Sequence, residues 1–190
     1  MKALEEKILT EGTVLPGGIL KVGSFLNQQI DTAFLMEMGR EIAGLYRPDR
    51  PTKILTLEAS GIALAVAAGV SLDIPVVFAK KSVTSNVSGK VYQSKVHSYT
   101  HGNDYHATVA ASYLLPTDRV LLIDDFLANG AALCGLRDLV NQAGAICVGA
   151  AIAIEKGFQG GGDALRKEGF RVESLAIVDA MSDDSIVFRS

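Results

Sequence analysis

Val120-Leu121-Leu122-Ile123-Asp124-Asp125-Phe126-Leu127-Ala128-Asn129-Gly130-Ala131-Ala132 joins a short apolar run to two carboxylates and then to a stretch of small residues. The run at 120–123 is partly β-branched and does not alternate with polar residues, the pattern of a parallel strand covered on both faces. In an open parallel sheet ligands bind beyond the carboxyl ends of the strands, so Asp124 and Asp125 are expected to face solvent and a ligand rather than the core. Residues 128–132 carry no bulky side chain, and Asn129-Gly130 admits the positive φ angles that fold successive main-chain N–H groups around an anion. Ala131, Ala132, Leu133, Leu136, Leu139 and Val140 then follow at helical spacing before Gly144, adding unpaired N–H groups and the positive end of a helix dipole. An acid pair that merely ends a strand, and an Asn-Gly that merely turns the chain, would account for the same residues one by one. Their order, strand then acids then small loop then helix, points to a ligand site. The chain has no Gly-x-x-x-x-Gly-Lys-Ser/Thr and no Gly-x-Gly-x-x-Gly opening a strand–helix turn, so neither a Walker loop nor a dinucleotide fingerprint explains it.

Outward from this stretch, strand and helix patterns alternate. Residues 4–9 read as a short amphipathic helix and 12–23 as an irregular segment punctuated by Pro16-Gly17-Gly18. Asp31 reads as the N-cap of a helix carrying Phe34, Leu35, Met38, Ile42 and Leu45, stopped by Tyr46-Arg47-Pro48. Strands are expected at 53–57, 76–79, 108–114, 120–123, 146–154 and 172–178, with a weak edge strand at 186–188. Helices are expected at 63–70 and 163–168. The sum is an α/β chain around a mostly parallel central sheet flanked by helices.

A length of 190 residues and 48% hydrophobic content suit one core and one domain over 1–190. A net charge of −3 gives no footprint for nucleic acid, so the expected partner is small and any anion site local. Nothing resembles a signal peptide or a membrane span, and a cytoplasmic location is expected. Cys134 and Cys147 are expected as buried free thiols rather than a disulfide or a zinc site.

Three further places carry chemistry. Glu58-Ala59-Ser60-Gly61 repeats the strand–loop–helix order and reads either as a second anion seat or as a helix start capped by Ser60. Residues 80–106 are polar, with Lys80, Lys81, Lys90 and Lys95, and are long for a connector; a mobile lid and a solvated excursion, with a loose hairpin in either, are both open. His97, His101 and His106 lie there at spacings unsuited to a metal site. Lys156 lies beyond the run at 146–154, beside Phe158. It reads either as an exposed strand-end charge or as a donor to a ligand carbonyl, with the ring covering a flat heterocycle.

The segment from Ile123 to Gly130 resembles the signature of the type I phosphoribosyltransferases. Leu20-Lys21-Val22 with Ser24-Phe25-Leu26-Asn27, the segment from Glu58 to Ile62, and Ile154-Glu155-Lys156-Gly157-Phe158-Gln159 resemble the purine-using, bacterial, xanthine-directed members of that family. The resemblance implies the type I fold, with a flexible lid at roughly 80–106 and a small base-binding hood from roughly 1–30 and 155–190. It implies transfer of a phosphoribosyl group from phosphoribosyl pyrophosphate to xanthine in the presence of Mg²⁺, the metal being held mainly by substrate oxygens. Asp124 and Asp125 would hold the ribose hydroxyls as catalytic residues, and Ala128, Asn129, Gly130, Ala131 and Ala132 the 5′-phosphate. Glu58, Ala59, Ser60 and Gly61, in a loop often carrying a non-proline cis peptide, would hold pyrophosphate with Lys80 and Lys81. Leu20, Asn27, Lys156 and Phe158 would line the xanthine site. A homodimer is implied as well. The alternatives are a non-catalytic sensor of phosphoribosyl pyrophosphate, and an enzyme preferring guanine, hypoxanthine or adenine.

Overall fold

The computed structural model describes residues 1–81, 89–98, 103–182 and 185–189. Helix α1 (Lys2–Glu11) buries Leu4 and Ile8. Strands β1 (Thr13–Leu15) and β2 (Ile19–Lys21) then pair antiparallel. The segment expected to be irregular is therefore a hairpin. Its turn is feasible because Gly17 and Gly18 take φ of +85° and +73°, a region closed to most side chains. A π-helical turn over Gly23–Asn27 leads to α2 (Thr32–Tyr46), where the Asp31 side chain accepts the Phe34 N–H at 3.1 Å as the expected cap.

The remaining elements are β3 (Lys53–Leu57), α3 (Gly61–Leu72), β4 (Val76–Ala79), β5 (Val91–Ser98), β6 (Asn103–Ala110), β7 (Arg119–Leu127), α4 (Ala131–Gln142), β8 (Ile146–Lys156), α5 (Gly161–Lys167), β9 (Val172–Ser182) and β10 (Ser185–Phe188). The central sheet runs β10-β9-β8-β7-β3-β4, and every neighbouring pair is parallel except β10 with β9. Along β7, Leu121 and Ile123 join the core under α2 and α3, while Val120 and Leu122 join the core under α4. Both faces are covered, which is why the run at 120–123 shows no polar alternation. Helices α2 and α3 approach closely because Gly39 lies on Ala67, where a Cβ would stand 2.6 Å from the Ala67 carbonyl oxygen.

Three expectations change. Strand β7 continues to Leu127 instead of stopping at Ile123, because β8 pairs with it as far as Leu127 opposite Glu155. The strand expected at 108–114 ends at Ala110, followed by a 3-10 turn over Ala111–Tyr113. Cys134 is exposed and Cys147 only half-buried, since α4 turns Leu133, Leu136, Leu139 and Val140 inward and leaves Cys134 on the solvent side. Within 80–106, β5 and β6 pair from Val91 opposite Ala110 through His97 opposite Asp104. They are docked on α4, where Gln142 donates to the Gln93 carbonyl at 2.9 Å and Val96 fills the space a side chain on Gly135 would need. The expectation of a lid also covered residues 82–88 and 99–102, which lie outside the described residues, as does His101.

Candidate active site

The five parallel strands run in the order 2-1-3-4-5, and the chain leaves β3 toward α3 on one face and β7 toward α4 on the other. A crevice opens beyond the carboxyl ends of strands at such a switch point. Here it is a cleft of about 450 Å³ whose floor and walls include Asp124, Phe126, Lys156 and all five residues of the 128–132 loop.

Asp124 and Asp125 are in the second half of β7 and are 9% and 7% exposed. They were expected to face solvent. The lengthened strand and its pairing with β8 instead bury both: Asp124 lines the cleft, and Asp125, the next residue along the strand, is bonded to Asn27. Asp124 accepts the Asp125 N–H at 3.0 Å, and Asp125 accepts from the Asn27 amide at 3.3 Å. Burial, then the neighbouring Asp125 charge, holds the Asp124 carboxyl well above the usual carboxylate range, with Lys81 opposing.

The 128–132 loop wraps into the start of α4 through Gly130, whose φ is +89°. Ala128, Ala131 and Ala132 are half-buried, Asn129 is exposed, and the Asn129 side chain accepts the Ala131 N–H at 3.1 Å. An entering anion would compete with that carbonyl for the same donor. The loop rests on Gly161 at the start of α5, whose N–H donates to the Ala128 carbonyl at 3.2 Å and which has no room for a side chain. Sequence reading missed Gly161, although the run Gly160-Gly161-Gly162 was a visible signal.

Lys156 is the final residue of β8. Its ammonium donates to the Gly18 carbonyl at 3.1 Å and lies 5.8 Å from the centre of the Phe126 ring, and burial lowers its pKa. The β1–β2 turn thus forms part of the wall through Gly17, Gly18 and Ile19. Leu20 packs into the core instead, at 6% exposure, and Phe158 covers Gly18 from outside while Gln159 faces the cleft.

The 58–61 loop flanks the acids from β3: the Cβ position of Gly61 lies 3.0 Å from Asp124 Oδ1. The Glu58–Ala59 peptide is cis, and Ser60 makes no side-chain cap. Glu58 accepts the Lys81 N–H at 2.7 Å, which ties Lys81 to this loop. Lys80 goes elsewhere, bonded to Thr108 through its main chain and lining a separate groove along β4. Tyr105 and His97 of the β5–β6 hairpin complete the far wall. Burial, then the Asp124 charge, raises the Tyr105 pKa, and His97 Nδ1 lies 2.5 Å from Asp104. Neither wall residue was legible as such, because antiparallel pairing in a distant segment brings them there.

Residues 27–182 match the model of the phosphoribosyl transferase domain, so the chain belongs to the phosphoribosyltransferase family. An adenine phosphoribosyltransferase from Leishmania tarentolae shares the fold at TM-score 0.77 and 21% identity, over 96% of this chain and 90% of that one. Within the family, the chain is 52% identical to xanthine phosphoribosyltransferase 1 of Clostridium perfringens over the full length of both. It is 49% identical to xanthine phosphoribosyltransferase of Lachnoclostridium phytofermentans, over 100% of this chain and 98% of the relative.

Proposed function

We propose that the protein transfers the 5-phosphoribosyl group of phosphoribosyl pyrophosphate to xanthine, forming xanthosine 5′-monophosphate and pyrophosphate in purine salvage. The observation that carries this reading is the convergence of buried Asp124, the 128–132 loop and Lys156 on one crevice, with buried Asp125 next along the strand. The full-length likeness to xanthine phosphoribosyltransferases supports the choice of base.

Main-chain amides of Ala128, Asn129, Gly130, Ala131 and Ala132 take the 5′-phosphate at the positive end of α4. Asp124 and Asp125 take the ribose 2′- and 3′-hydroxyls. As the bond from the anomeric carbon to pyrophosphate breaks, positive charge grows on the sugar ring above these acids. Asp124 and Asp125 stabilise it electrostatically while their oxygens hold the hydroxyls. Glu58, Ala59, Ser60, Gly61 and Lys81 stand on the flank of Asp124 where the departing pyrophosphate would lie. Lys156 donates to the 6-oxo group of the base, and Asn27, at Asp125, meets the base where it joins the sugar.

Mg²⁺ fits this donor set, since carboxylate oxygens suit a hard cation. Among the described residues no cluster of three or more His, Cys, Asp or Glu could hold a metal by itself, so Asp124 and Asp125 would contact it with substrate oxygens completing its shell. Bound there, it would neutralise charge on the pyrophosphate. A homodimer is part of the proposal, supported by the exposed apolar side chains Phe78 and Tyr113 along the β4 groove. A cytoplasmic setting is supported by two unpaired cysteines. Among the described residues no helix is long and apolar enough to cross a membrane.

The test is to incubate the protein with Mg²⁺, phosphoribosyl pyrophosphate and each of xanthine, guanine, hypoxanthine and adenine, and to identify the nucleotide by mass. Xanthosine 5′-monophosphate is expected to form fastest. Tight binding of phosphoribosyl pyrophosphate with no nucleotide from any base would instead identify a sensor.

A further inference from the structure

Behind the turn that carries Lys156, five charged groups form one continuous chain of ion pairs. Glu155, wholly buried, accepts from both terminal nitrogens of Arg166 at 2.9 and 2.6 Å and from Ser174 Oγ at 2.5 Å. Arg166 also donates to Asp163 at 3.2 Å. Arg189, which follows β10, donates to both oxygens of Asp163 at 2.7 and 3.0 Å, and to Asp179 of β9 through Nη2 at 2.7 Å and Nε at 3.1 Å. Its own N–H is fixed to the Ile177 carbonyl at 2.9 Å.

Gly157 sits directly on this clamp. A Cβ there would collide with the Asp179 carboxylate and stand 3.0 Å from Arg189 Nη2. Lys156, just before it, and Gln159, two residues after it, line the cleft. Asp163, Asp179 and Arg189 are each about a third to a half exposed, so their pairing adds little to stability. A forked guanidinium held by two carboxylates instead fixes position, because its donors are planar and directional.

We propose that Arg189 is a positioning residue for base selection: by bridging Asp163 and Asp179 beneath Gly157, it sets where Lys156 and Gln159 meet the purine. This rests on the assignment of Lys156 to the base site. Displacements near 1 Å at a reacting site cost up to about a hundredfold in rate, so a partial slackening of the turn corresponds to about tenfold in the KM for xanthine.

The experiment compares the parent with Arg189→Gln, Arg189→Lys and Asp179→Asn, varying xanthine at saturating phosphoribosyl pyrophosphate and the reverse, with melting temperature measured alongside. Arg189→Gln and Asp179→Asn are expected to raise the KM for xanthine about tenfold while that for phosphoribosyl pyrophosphate stays within about twofold; Arg189→Lys, which keeps the charge but not the fork, falls between. An unchanged KM for xanthine in a folded variant overturns the proposal. So do equal rises in both constants, the sign of a merely structural role. Should Arg189→Gln fail to fold, Arg189→Lys and Asp179→Asn decide by the same split. If the parent uses another base, the xanthine assignment fails by itself, and the same comparison on that base still decides the role of Arg189.

Discussion

Gly161→Ala isolates the support of the phosphate loop from its chemistry. Gly161 is at the first position of α5 and is not in the left-handed region, so alanine is acceptable to the local backbone and favours the helix by up to about 1 kcal/mol. The obstacle is steric: the new Cβ would lie 2.6 Å from the Gly130 nitrogen and closer still to the Ala128 carbonyl oxygen. Reaching the 3.4 Å of ordinary contact from the 2.4 Å of the Ala128 oxygen requires the loop to retreat by about 1.0 Å. A misplacement of that order costs roughly a hundredfold, or about 2.7 kcal/mol of transition-state stabilisation. Overpacking costs about 1–3 kcal/mol of stability, small against the roughly 5–15 kcal/mol of a typical domain, so the variant stays folded. Steady-state kinetics with phosphoribosyl pyrophosphate varied should show kcat/KM down by about two orders of magnitude, and the KM for xanthine within about threefold. A folded Gly161→Ala protein with kcat/KM for phosphoribosyl pyrophosphate within about threefold of the parent would refute the role given to this loop.

Two further outcomes follow from the acids and the lysine. Because Asp124 has a raised pKa when folded, the folded state binds more protons than the unfolded one above the ordinary value of 3.8, and stability falls as pH rises through that window. Asp124→Asn keeps an acceptor for the Asp125 N–H and removes the ionisation, so it should melt higher than the parent at pH 7, with the gain fading below about pH 4; a variant that melts lower at pH 7 contradicts the burial argument. Asp125→Ala should lower kcat/KM for phosphoribosyl pyrophosphate by at least about a hundredfold, whereas Lys156→Ala should act mainly on the KM for the base and on the preference for 6-oxo over 6-amino purines. Equal, modest effects in these two variants would dissolve the separation between sugar and base halves of the site.

Much of this architecture is written locally. The β3 and β4 strands, the Asp31 cap and the start of α4 at Ala131 each depend on neighbours within a few residues, and each was read from the chain with the bounds the structure shows or close to them. The acid pair, the small-residue loop and Lys156 were legible for the same reason: each lies at or near the carboxyl end of a strand, where a parallel sheet places its ligands. What escaped depends on distant pairing. The length of β7, and with it the burial of Asp124 and Asp125, is set by β8 some thirty residues later. Tyr105 reaches the cleft because β6 pairs with β5 and that hairpin docks on α4. Leu20 reads as a pocket residue by resemblance, yet the β1–β2 hairpin presents its neighbours Gly18 and Ile19 to the cleft and turns Leu20 inward. Arg189 carries no local pattern that distinguishes it from any other charge, and Gly161 is marked only by the run Gly160-Gly161-Gly162, which does not say what packs on it.

The most direct measurement is the structure of the protein with ribose 5-phosphate bound. The phosphate should sit against the main-chain amides of Ala128 through Ala132, displacing the Asn129 carbonyl from the Ala131 N–H, with the two ribose hydroxyls on Asp124 and Asp125. A sugar phosphate seated elsewhere, with the Asn129–Ala131 bond intact and the acids untouched, would contradict the account.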